Sequence, residues 1–125
     1  MSHDGIGKRA GSIAINVQRL TTGDTVVDLV GDLIGDAAAA MRQALIDELS
    51  REPAQLIVDL STVARIDAGA VRALAAAAAV AGESDRAFCL VTAKAGPVQA
   101  ALAAVQFSEL FEVFSSVSEA VLDSR

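Results

Sequence analysis

The chain has no tryptophan and no tyrosine, and aromatic residues make up only 3% of its 125 residues. A core without large rings must be packed tightly from small and branched side chains. The material for one is present, since hydrophobic residues reach 53% and charged residues 21%. That balance is too apolar for a disordered chain. Cys89 is the single cysteine, so no intrachain disulfide can form. His3 is the single histidine and stands near the start, which leaves no histidine-based triad and no histidine metal cluster. There is no GxxxxGK[ST] phosphate loop, and Gly5-Ile6-Gly7 is not framed by a strand and a helix. No metal, no cofactor and no enzymatic activity are expected.

Positive charge is also short, with Lys and Arg totalling 10 against 16 Asp and Glu, for a net charge of −6. An acidic surface repels phosphate backbones and anionic lipid, so neither nucleic acid nor a membrane surface is an expected partner. No charged n-region followed by an apolar stretch opens the sequence, and no apolar run reaches bilayer length. The expectation is a soluble cytoplasmic protein. Its length fits one domain over 12–125, after a flexible, glycine-bearing tail over 1–11.

Two periodicities organise what is there. Ile13, Ile15 and Val17 alternate with Ala14, Asn16 and Gln18, the pattern of a strand with one solvated face. Thr21-Thr22-Gly23-Asp24 is a turn, and Thr25 to Val30 a second strand closing a hairpin. Asp36 is placed to cap a helix whose stripe is Ala38, Met41, Leu45 and Leu49, with Arg42, Asp47 and Glu48 outward. Leu56 to Leu60 is a short apolar run suited to a strand buried on both faces. A helix follows Asp67 to about Ala81, with Gly82 as its natural C′ residue. Ala87 to Val91 is another buried strand, and Pro97 suits the first turn of a helix continued by Ala100, Leu102 and Val105. Phe111 to Phe114 is a short strand, and Ser116 with Glu119 forms a capping box opening a last helix. After the hairpin, strands and helices alternate. This predicts an α/β fold with a mixed sheet of about five strands packed with about four helices.

Three stretches carry a resemblance. Val30-Gly31-Asp32-Leu33, Leu56-Ile57-Val58-Asp59-Leu60-Ser61 and Val63-Ala64-Arg65-Ile66-Asp67-Ala68-Gly69-Ala70-Val71-Arg72-Ala73-Leu74 resemble the STAS domain of bacterial anti-sigma factor antagonists. The end also fits, through Lys94-Ala95-Gly96-Pro97-Val98 and Leu110-Phe111-Glu112-Val113-Phe114. The resemblance implies a STAS-like fold that binds an anti-sigma factor, a kinase-like protein, and so regulates transcription by partner switching. In that family a strand delivers an Asp-Ser-Ser/Thr-Gly turn to a helix start, where the partner kinase phosphorylates a hydroxyl and so ends the binding. Here the turn is Asp67-Ala68-Gly69-Ala70, with alanine and glycine where the hydroxyls would be. A turn without the usual phosphosite is therefore expected, with binding that is constitutive or controlled by abundance or another signal. A second departure is Gln106, where the family usually has glycine.

Asp67, Ala68, Gly69, Ala70, Arg65 and Arg72 are the candidate partner-binding residues. Asp67 precedes unpaired helix N–H groups, so it is as readily a cap as a contact. Arg65 and Arg72 flank the turn, and Arg72 is either a solvated cation pairing with a nearby carboxylate or a contact to an acidic patch. Ser61 and Thr62 are the nearest hydroxyls, suited to a turn and a distant second choice as phosphosites. Asp59 is expected to bond backbone N–H groups. Cys89 is expected as a small buried hydrophobe, the alternative being a redox thiol. Two other readings stay open: a STAS sensor or scaffold subunit in a lipid-transport or signalling complex, and a domain that forms a homodimer only.

Overall fold

The computed structural model describes residues 5–10, 13–93, 96–104 and 112–123. Strands β1 (Gly5–Ala10), β2 (Ile13–Arg19), β3 (Asp24–Leu33), β4 (Gln55–Ile66), β5 (Ala87–Val91) and β6 (Glu112–Phe114) form one sheet in chain order. β1, β2 and β3 run antiparallel, and β3 to β6 run parallel. Helices α1 (Asp36–Leu49), α2 (Ala68–Glu83), α3 (Pro97–Ala104) and α4 (Val117–Asp123) complete the α/β fold. The expected strands and helices are all present. The correction lies at the start: Gly5–Ala10, expected in a flexible tail, is a strand paired with β2. Val105 and Gln106 lie outside the described residues.

Side-chain alternation divides the sheet into two faces. Ile13, Ile15, Val27, Leu29, Leu56, Val58, Leu60 and Leu90 join Met41, Leu45, Val71, Leu74 and Leu102 of α1, α2 and α3 in the main core. Val26, Ile57, Cys89 and Val91 point to the other face and meet Val117, Ala120 and Val121 of α4. β4 and β5 are thus covered on both sides, which is why they read as continuous apolar runs. On β2, Asn16 and Gln18 are exposed, which is why that strand alternates.

β4 runs well past the expected end at Leu60. Its register against β3 slips twice, between Asp28/Val30 and between Gly31/Asp32, each time with an extra residue on β4. Such bulges bend a strand and re-aim its side chains. Ser61 and Thr62 are exposed in succession for this reason, and Thr62 Oγ1 donates to the Leu29 carbonyl at 3.1 Å beside the first slip. Beyond the bulges Arg65 stands opposite Asp32, and Ile66 opposite Leu33.

Three local expectations change. Gly35, not Asp36, is the N-cap of α1, with no side-chain bond, and Asp36 occupies the first turn, where its charge complements the helix dipole. Gly82 lies inside α2. The left-handed C′ position belongs to Asp85 at φ 56°, and Arg86 N–H donates to Ala81 O while Asp85 N–H donates to Gly82 O, a Schellman closure. Glu48, expected outward, is buried and accepts from Arg19 at 3.2 and 3.0 Å, with Arg51 at 3.8 Å.

Candidate functional site

The β3 and β4 ends bring the β3–α1 connection beside the start of α2. Asp67 sits between them in an extended conformation. Its Oδ1 accepts from Ala70 N–H at 2.9 Å, which caps α2. Its Oδ2 accepts from Gly35 N–H at 2.9 Å, which ties α1's entry to α2. Two backbone donors on one carboxylate hold its pKa below the ordinary value, the Gly35 bond first and the Ala70 bond second, with the charge of Arg72 adding to them. Gly35 can present its N–H this way because it adopts φ 59° and ψ −131°, a conformation open to glycine and strained for any L side chain. Asp67 is therefore a clasp between two elements as well as a cap. Its carboxylate is already engaged by its own chain.

The neighbours divide by exposure. Ala68 is exposed, Gly69 half-buried, and Arg72 exposed one turn on. Ala70 is fully buried, so it gives the site an N–H and no side-chain contact. A Cβ placed on Gly69 would lie 3.4 Å from Asp67 Oδ1 and 3.9 Å from Arg72 Nη2, ordinary van der Waals distances. The fold thus leaves room for a side chain there. Arg65 donates to Asp32 at 2.8 Å across β3–β4 and remains two-thirds exposed, and that bond raises its already high pKa further. The site thus offers solvent Ala68, part of Gly69, the Arg65–Asp32 ion pair and Arg72.

The remaining candidates lie elsewhere. Ser61 Oγ and Ser61 N–H both donate to Asp59 Oδ1, at 2.6 and 3.0 Å, so Asp59 does bond a backbone N–H as expected. Ser61 and Thr62 belong to the β4 bulge rather than to a turn. Cys89 is fully buried, and burial first, then the charges of Glu112, Asp24 and Asp123, pushes its thiol up to about 12. A thiol so protonated is no redox nucleophile at neutral pH. Among the described residues no group of His, Cys, Asp and Glu could hold a metal ion. No helix among them is long and apolar enough to cross a membrane.

Sequence reasoning missed Gly35, whose part in the site depends on a contact 32 positions away. A glycine just before a predicted helix start was the only local signal.

Comparison with known proteins agrees with this fold. The family described as Mlab, STAS domain matches residues 17–112. The chain belongs to the STAS domain family. Its structure is similar to an anti-sigma factor antagonist from Mycobacterium paratuberculosis, with a TM-score of 0.84 and 23% identity over 91% of this chain and 95% of that one. A putative anti-sigma factor antagonist from Thermotoga maritima follows, with a TM-score of 0.72 and 19% identity over 87% of this chain and 92% of that one. The fold also matches part of the murine Solute Carrier 26 family member A9 anion transporter, with a TM-score of 0.69 and 23% identity over 82% of this chain but 18% of the transporter. No curated protein sequence matches the chain significantly.

Proposed function

We propose that this STAS domain works as an anti-sigma factor antagonist, binding an anti-sigma factor through the β4–α2 junction and acting by occupancy rather than catalysis. The observation that carries this reading is the junction itself. A helix start clasped by two backbone bonds presents Ala68, Gly69, Arg65 and Arg72, on a fold shared along nearly its whole length with anti-sigma factor antagonists. A pre-ordered surface avoids much of the entropic cost of binding. Small side chains allow a partner's backbone to approach closely.

The turn carries no hydroxyl, so no serine- or threonine-type phosphate ester can form on Asp67-Ala68-Gly69-Ala70. In a phosphorylatable relative, a charge of roughly −1.5 to −2 would arrive beside a carboxylate and expel the partner. Here binding follows abundance or another signal. Incubation with the cognate anti-sigma kinase and ATP tests this. Stable binding throughout is expected, and transfer to any other residue that releases the partner would sink the constitutive reading.

Because Asp67 is a structural clasp, the cleaner interface probe is Ala68→Arg, at an exposed position. A pull-down from the source cell should recover an anti-sigma factor with the wild type and not with Ala68→Arg. The fold also occurs within a transporter chain, so recovery of transporter components instead would favour a scaffold subunit.

A further inference from the structure

The helices α1, α2 and α3 pack on one face of the sheet, while α4 packs against β4, β5 and β6 on the other. On the second face α4 reaches β3 at Val26, and beyond it, among the described residues, Asn16, Gln18, Val30 and Ser61 are exposed. Val30 is 41% exposed, an unusual position for a large apolar residue in this chain. Beside it lies a row set by the register: Asn16 opposite Asp28, and Asp28 opposite Asp59.

Two aspartates in direct register on adjacent parallel strands have backbones about 5 Å apart by strand spacing, with both side chains on the same face. Like charges so placed destabilise a sheet unless something neutralises them. Among the described residues neither Asp28 nor Asp59 is in an ion pair. Asp59 is partly satisfied by Ser61. Asp28 is half-buried, and burial first and the charge of Asp59 second raise its carboxyl above the ordinary value.

We propose that the open face of β2, β3 and β4 is a second protein-docking surface, separate from the β4–α2 junction, which takes a lysine- or arginine-bearing segment of a partner. The cation sits against Asp28 and Asp59, and its aliphatic stem covers Val30. Charge complementarity selects this occupant. A second copy of the chain, with net charge −6, would set acidic pair against acidic pair across a two-fold axis. A metal ion lacks the ligand set, since no group of three metal-binding side chains occurs among the described residues.

The test is a titration of the isotope-labelled protein with a capped pentapeptide of alternating lysine and valine, followed by amide chemical shifts. Shifts are expected on Asn16, Asp28, Val30 and Asp59. The double variant Asp28→Asn/Asp59→Asn, which keeps side-chain shape, should weaken the apparent affinity about tenfold at low salt. The matching glutamate–valine peptide should leave the spectrum unchanged. Shifts confined to the far end of the sheet at Asp24, Glu112 and Asp123 would overturn the proposal, as would equal affinity for the double variant. So would magnesium alone shifting the same residues, or a dimer across this face by light scattering. If the double variant does not fold by circular dichroism, Asp28→Asn alone makes the same comparison.

Discussion

Replacing Asp67 by alanine removes two hydrogen bonds at once, and the cost can be worked from their partners. The Ala70 bond is an N-cap, and losing an aspartate cap costs about 1 kcal/mol, within a range of roughly 0.5–2. The Gly35 bond is charge-assisted but solvent-accessible, so water replaces part of it and it adds about 1 kcal/mol. A total near 2 kcal/mol should lower Tm by roughly 6–10 °C in a domain of this size. The Asp67→Asn variant keeps an acceptor oxygen and should lose less than half as much. The carboxyl's pKa is lower in the folded chain than in the unfolded one. Its contribution is therefore complete above about pH 4, the unfolded value, and is lost as pH falls through the folded value. Urea unfolding followed by circular dichroism, at pH 7 and near pH 2.5, measures both effects. The gap between wild type and Asp67→Ala should be present in full at pH 7 and narrower in acid. An Asp67→Ala variant as stable as wild type at pH 7, or a gap that survives acid undiminished, would refute the clasp.

Gly35→Ala should destabilise the fold by about 1–3 kcal/mol, because φ 59° with ψ −131° strains any side chain even where a Cβ meets nothing within 4 Å. Its Tm measured beside that of Gly69→Ser, which the packing tolerates, separates backbone strain from crowding. Glu48→Ala strips the half-buried Arg19 of its partner and should cost about 2 kcal/mol in urea unfolding. Cys89 should resist a thiol reagent at pH 8 in the native protein and react fully in denaturant, and rapid native labelling would contradict its burial.

What could be read before the structure follows from where each signal resides. The strands and helices of the main core were legible because their periodicity is local: Ile13, Ile15 and Val17 alternate, and Met41, Leu45 and Leu49 recur at helical spacing. The Ser116–Glu119 box was legible for the same reason. Glu119 N–H donates to Ser116 Oγ at 3.2 Å, and Glu119 Oε1 reaches back to Ser115 N–H at 2.9 Å. Features set by contacts between distant elements were not legible. Nothing near Glu48 announces Arg19, 29 positions away, so the periodicity alone turned it outward. The β4 bulges carry no residue signature and depend on pairing with β3, so Ser61 and Thr62 read as a turn. Gly5–Ala10 is glycine-bearing and weakly patterned, and it is a strand because β2 offers an edge. At the site, the residues were legible and their division of labour was not. Asp67 faces inward to two backbone donors, Ala70 is buried, and Ala68 and Arg72 are exposed.

The most direct test of the proposed function is a calorimetric titration of the cognate anti-sigma factor into the wild-type protein and into Ala68→Arg, each with and without ATP. Saturable binding to the wild type that ATP does not alter, weakened at least about tenfold by Ala68→Arg while its Tm stays unchanged, is the predicted result. Equal affinity for the two proteins, or loss of wild-type binding once ATP is added, would contradict it.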